Sequence, residues 1–317
     1  MKRPATQRME EFLYFPASDS WLGFLRVAVA LQLVTYCFSL WRDWLDLFAI
    51  DHAGVIKRDL AEAILSSQSH YIPRIGWLVE LCKGLGATEQ SALPLVWWSL
   101  LVTAGLLLVG LFSREAAIAA LFLHLCAVKS SSGLTYGVDN FTSIGLFYLM
   151  IAPLPDRWSA DCWWRSVPGK DGQWQGFSRR LLQLHLCLIY FFSGITKCVG
   201  VGWWDGTSIW YALIRPPFNL LPPETLIAWK SLFPVLSISV CFLETGYPFF
   251  IWLHKTRAVW LIAIIAMHLA IGLAMGLYFF AFVMITLNLA AFGPEFSFGG
   301  VGSKPARKIA TIPPVSP

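Results

Sequence analysis

The sequence predicts an all-α fold, a polytopic transmembrane helical bundle of about eight spans. Three observations carry that prediction. Apolar residues make up 56% of the 317 positions before the 24 glycines are counted, and charged residues only 14% where a soluble domain carries ~25%. Sixteen tryptophans point the same way, because Trp concentrates where an apolar body meets a wet edge, as at a bilayer interface. Apolar runs approaching or exceeding the ~20 residues needed to cross the hydrocarbon recur along the chain. The same composition excludes a soluble enzyme, a disordered chain and a disulfide-stapled secreted module.

The first span, near 21–41, ends in Trp41-Arg42-Asp43 and lacks a small-residue cleavage site, so it reads as a retained anchor. The connection 42–91 mixes charge with apolar residues at helical spacing (Leu60, Ile64, Leu65, then Ile75, Leu78, Val79). That spacing predicts one or two amphipathic helices lying on the interface. Further spans are expected near 92–112, 115–130, 138–154, 179–199, 229–253, 257–275 and 277–293, the third and fourth short. Residues 1–293 then form one transmembrane domain, and 294–317, rich in Pro, Gly and Ser, a flexible cytoplasmic tail.

Orientation follows from Lys and Arg in the connections. With eight spans, the side holding both termini collects fourteen of them, including Arg165, Arg179, Arg180 and Lys255, against seven opposite. Both termini are therefore expected in the cytoplasm, in a plasma membrane, with 42–91, 131–138 and 200–228 outside. The net charge of +5 is spread out, so nucleic acid is not an expected partner; the lipid bilayer is.

Ionisable residues inside a bilayer are costly enough to mark function. In the fifth span Gln183, Cys187, Tyr190, Gly194 and Lys197 share one stripe at 4-3-4-3 spacing. Lys197 falls at its outer end, as a snorkelling cation or a working one. Glu244 and His268 flank the Lys255-Thr256 hairpin at equal offsets, which predicts that they meet level with each other as a clasp or a proton-handling pair. Arg26 is placed to snorkel, Asp139 to cap the fourth span beside Asn140, and His124 and His185 to be satisfied core histidines. The seven cysteines show no CxxC and no metal spacing; no disulfide and no metal is expected. No HExxH, GxSxG or Walker loop is present, and Gly200-Val201-Gly202 lacks the third glycine of a dinucleotide fingerprint.

The run Tyr190-Phe191-Phe192-Ser193-Gly194-Ile195-Thr196-Lys197, followed by Trp203-Trp204-Asp205-Gly206, resembles the vitamin K-dependent gamma-carboxylase family. His268 with Phe280-Ala281-Phe282-Val283-Met284, Gly110-Leu111-Phe112-Ser113-Arg114 and Phe24-Leu25-Arg26 is similar to further pieces of the same family. Its bacterial members are grouped as HTTM (horizontally transferred transmembrane) proteins. The resemblance covers about residues 19–296. It implies a bound reduced quinone, a vitamin K-type hydroquinone, with Lys197 as the base that deprotonates it and carboxylase/epoxidase-like chemistry to follow. Glu244 and His268 would then be a buried polar pair beside the base. Tyr190, Gly194, Trp203, Trp204, Asp205, Asp139 and Asn140 would line the cofactor. The family's histidine at the start of the fourth span is replaced here by Asn140, and the family's large lumenal domain has no counterpart after residue 293. A second reading follows from that lack: a non-enzymatic membrane protein in export, maturation of or immunity to a secreted peptide, with a soluble protein as partner.

Overall fold

The computed structural model describes residues 4–50, 57–131, 135–167, 169 and 171–294. Its helices in chain order are α1 (Ala5–Leu13), α2 (Ser20–Leu40), α3 (Trp44–Phe48), α4 (Arg58–Gln68), α5 (Ile75–Gly84), α6 (Glu89–Val109), α7 (Ser113–Ser130) and α8 (Gly137–Ile151). There follow α9 (Ala160–Trp164), α10 (Gln173–Val199), α11 (Thr207–Ile214), α12 (Pro223–Ala228), α13 (Phe233–Phe250), α14 (His254–Met275) and α15 (Tyr278–Phe292). Among the described residues there is no strand, only a bridge between Ala17 and Gly172. The fold is the expected all-α bundle. α2, α6, α10, the segment Lys230–Phe250 that contains α13, and α14 are each long and apolar enough to cross a membrane. The chain is a multi-pass membrane protein by that measure. α7, α8 and α15 fill the remaining expected spans but are shorter or more charged.

α2, α6, α7 and α8 pack as one group and α10, α13 and α14 as another, with α15 between them touching α2, α8, α10 and α14. α15 can sit there because Ala281, Ala290 and Ala291 let neighbours approach closely, and most of its length is buried. α14, by contrast, buries only a narrow stripe of Leu261, Ile264, His268 and Gly272.

Buried charges tie the end of the bundle nearest the N-terminus. Arg26 is not snorkelling, as its place near a span end predicts, but fully buried. Its Nε donates to Asp156 Oδ2 at 2.6 Å, and Nη1 donates to the carbonyls of Leu107 and Leu108, both at 2.8 Å. One guanidinium thus joins α2, the last turn of α6 and the α8–α10 connection. Gly110 ends α6 at φ 78°, and a Cβ there would lie 2.7 Å from Ser159 and 2.9 Å from the Arg26 guanidinium. Asp161 in α9 caps α7 from outside, accepting from the Phe112 and Ser113 N–H groups and the Ser113 hydroxyl at 2.8–2.9 Å. A carboxylate suits that helix N-terminus. Arg179 donates to the carbonyls of Ala290, Ala291 and Gly293, closing the C-terminus of α15.

Other expectations shift. α4 and α5 are the two amphipathic helices of the 42–91 connection, with Leu60 and Ile64 exposed and Ile75 and Val79 buried. The hairpin turn is at Ile251–Leu253, not Lys255-Thr256, because α14 already begins at His254. Asp139 is not the N-cap of α8. Tyr136 is, and Asp139 in the first turn accepts the Tyr136 N–H at 3.0 Å. The expected tail 294–317 lies outside the described residues but for Pro294.

Replacing Arg26 with Met should cost about 3–5 kcal/mol, because Asp156 is stranded at 0% exposure, whereas Arg26→Met with Asp156→Leu should recover part of it. Thermal unfolding of the detergent-solubilised variants checks the coupling; strictly additive losses would contradict it. Asp161 supplies a pH signature. Burial pushes its carboxyl up, but the Ser113 N–H and hydroxyl and the Phe112 N–H outweigh that and hold it below the usual value. Its contribution is therefore present above the unfolded pKa of ~3.9 and lost as pH falls through the lower folded value. Wild type and Asp161→Asn should accordingly differ in stability at about pH 4 and above, and converge only as pH falls further, through the lower folded value.

Candidate functional site

At the far end of the bundle α10 and α13 run antiparallel and almost touch. A Cβ added at Gly194 would lie 2.5 Å from both the Thr245 nitrogen and its hydroxyl, so only glycine fits this crossing. The crossing lets Lys197, one turn on, reach Glu244. Lys197 Nζ lies 2.6 Å from Glu244 Oε2 and 2.6 Å from Ser193 Oγ, with the Trp203 ring centroid at 5.4 Å. Glu244 is buried and the Lys197 side chain is 21% exposed, so the pair stands at the edge of the packed interior.

Glu244 is therefore partnered by Lys197 and not, as equal offsets predict, by His268. With the turn at Ile251–Leu253 the two residues no longer lie at equal distance from it, and His268 falls further along. His268 Nε2 instead lies 2.8 Å from the Tyr190 hydroxyl. That contact belongs to a chain whose direction can be read. Asn288 stands 2.8 Å from the Met284 carbonyl, which only accepts, so the atom there is the amide nitrogen. The same nitrogen donates to the Tyr190 oxygen at 2.7 Å, and Tyr247 donates to Asn288 Oδ1 at 2.7 Å. The Tyr190 proton is left with His268 Nε2 as its acceptor. Neutral His268 then carries its own proton on Nδ1, which is buried and has no partner among the described residues. Four residues from α10, α13, α14 and α15 thus form a polarised chain that ends in one free N–H.

The other predicted residues separate. Trp204 is exposed and donates to the Cys198 carbonyl at 2.8 Å, while Asp205 accepts from the Thr207 N–H and hydroxyl at the start of α11. The Asp205 carboxyl is lowered by those Thr207 hydrogen bonds, and it organises the turn next to Trp203. Asp139 and Asn140 belong to the α7–α8 side, where the Asp139 carbonyl lies 3.3 Å from buried His124 Nε2 and Asn140 is exposed. Phe280 stands between that side and the site, with ring centroids 5.8 Å from Phe141 and 5.6 Å from His268. His185 pairs with the Tyr148 hydroxyl at 3.2 Å. Tyr247 and Asn288 were not singled out from the sequence. Asn288 is a lone amide in an apolar helix, and Tyr247 lies three residues past Glu244 on the same face, so both carried a signal. All seven cysteines are free. Among the described residues no three His, Cys, Asp or Glu side chains are grouped to hold a metal.

Searches against protein-family models, curated proteins and solved structures find no match to this chain.

Lys197→Met and Glu244→Leu should each destabilise by about 3–5 kcal/mol, since each strands a largely desolvated charge, and the double variant by clearly less than the sum. A double-mutant cycle on thermal unfolding in one detergent measures the coupling. Its absence would mean that the two groups do not form a pair.

Proposed function

We propose that this membrane protein binds a lipid quinone or its quinol beside α10, α13 and α14, with Lys197 and Glu244 as the proton-handling pair. The observation that carries the reading is the free Nδ1–H of His268 at the end of the polarised chain, together with an intramembrane ion pair close by. A quinone oxygen is an acceptor suited to that donor. An ammonium held by a carboxylate accepts no proton until its own has moved, and the 2.6 Å contact with Glu244 is the route by which it moves. The pair therefore works as a unit: Glu244 takes the Lys197 proton, and the free amine takes one from the ligand hydroxyl. The resemblance to the gamma-carboxylase family supports Lys197 in that role and supports carboxylase/epoxidase-like use of the deprotonated quinol. By the charge bias of the connections the pair lies towards the outside.

Menaquinone-4 serves as the probe, its binding read from quenching of protein tryptophan fluorescence. Wild type should bind it, and His268→Phe should bind about tenfold more weakly, the equivalent of ~1.4 kcal/mol for one buried hydrogen bond. Lys197→Arg keeps the charge but cannot release a proton, because its pKa exceeds ~12. It should bind as wild type does yet consume oxygen with menaquinol-4 at least tenfold more slowly. No binding by wild type, or unchanged oxygen consumption by Lys197→Arg, would remove the reading.

A further inference from the structure

The close crossing at Gly194 has a register. Antiparallel helices place Gly194 level with Thr245, and one turn further out Cys198 level with Cys241. The same register, run inward, sets Cys187 against Trp252, and those two side chains do interact. Cys198 Sγ lies 3.6 Å from Thr245 Oγ1, and Cys241 has the Cys198 thiol among its neighbours. Cys241 is buried at 4% exposure, whereas Cys198 is partly exposed. Lys197 precedes Cys198 in the chain, and Glu244 sits about one helical turn from Cys241. The two sulfurs thus share a neighbourhood with the Lys197 ammonium and the Glu244 carboxylate.

We propose that Cys198 and Cys241 form a redox-active dithiol that closes to a disulfide by reducing a quinone bound at the adjacent Lys197–Glu244 site. The step balances in both atoms and electrons. Two S–H bonds break and one S–S bond forms. The two electrons and two protons released pass to the two quinone oxygens, giving the quinol. The choice of quinone as oxidant rests on the reading given above; the closure of the two thiols does not. A disulfide here would link α10 to α13 one turn from the glycine that allows their close approach.

Purified full-length protein is reduced, desalted and divided into two anaerobic arms, one treated with diamide and one with menaquinone-4. Both quinoid carbons of menaquinone-4 that a thiol could add to and aromatise are substituted, so simple arylation of a thiol is blocked. Each sample is quenched in acid, alkylated with iodoacetamide in denaturant, reduced, and alkylated again with N-ethylmaleimide before peptide mass spectrometry. In both arms Cys198 and Cys241 should exchange the first label for the second together, towards one disulfide per chain. Cys37, Cys82, Cys126, Cys162 and Cys187 should keep the first. Cys198→Ser should leave Cys241 fully in the first label while binding menaquinone-4 as wild type does. If diamide leaves both residues as thiols, the dithiol is overturned whatever the quinone does. Closure by diamide but not by menaquinone-4 overturns the electron transfer. Fluorescence quenching of the reduced wild type then separates the two failures: binding of menaquinone-4 leaves the quinone site standing, and no binding removes that reading as well.

Discussion

The approach of α10 to α13 at Gly194 is the constraint on which the far end of the molecule depends. With any side chain at that position the helices would stand further apart, and Lys197 would no longer reach Glu244 at 2.6 Å. Inward of the crossing the same geometry sets Tyr190 against Tyr247, their ring centroids 4.3 Å apart, and so lets both hydroxyls reach Asn288. Outward it levels the two cysteines. In a bilayer no hydrophobic force holds helices together, so close packing through small residues and internal hydrogen bonds must do so. Gly194 supplies the first, and the groups gathered around it supply the second.

Two sets of buried charges differ in how they are satisfied. At the N-terminal end Arg26, Arg179 and Asp161 are spent on backbone groups that helix ends leave open: carbonyls of α6, carbonyls of α15 and amides of α7. Fixed in this way, they hold helices and connections together. At the far end Lys197 and Glu244 are satisfied by each other and by a serine hydroxyl, with no backbone carbonyl claimed. His268 ends its chain in a buried Nδ1 that has no partner among the described residues. The first set is bound to backbone, and the second to other side chains.

Much of the fold was legible because composition and periodicity are strong signals for membrane helices. The α10 stripe of Gln183, Cys187, Tyr190 and Gly194 is buried as its spacing implies, with Lys197 half-buried at its end. The failures have physical causes. Helical offsets give depth only when the turn is located, and a shift of the hairpin apex to Ile251–Leu253 moved His268 away from Glu244. Arg26 pairs with Asp156, 130 positions away, and no local pattern announces such a partner. Tyr247 and Asn288 each carry a local signal, but their joining into one chain is not legible for the same reason: it draws one residue from each of four helices.

The two shortest members of the bundle, α8 and α15, have 15 residues each. At 1.5 Å per residue they rise about 22 Å, less than the ~30 Å of a typical hydrocarbon core. Most of α15 is buried by its neighbours apart from Tyr278 and Phe282, and α8 exposes Phe147 and Ile151. Lipid beside α8 must therefore shorten its chains' reach or pull the flanking connections inward, at a fraction of a kcal/mol per ångström of mismatch. Membrane thickness thus becomes a variable of this protein: acyl-chain length and sterol content bear directly on how its helices sit.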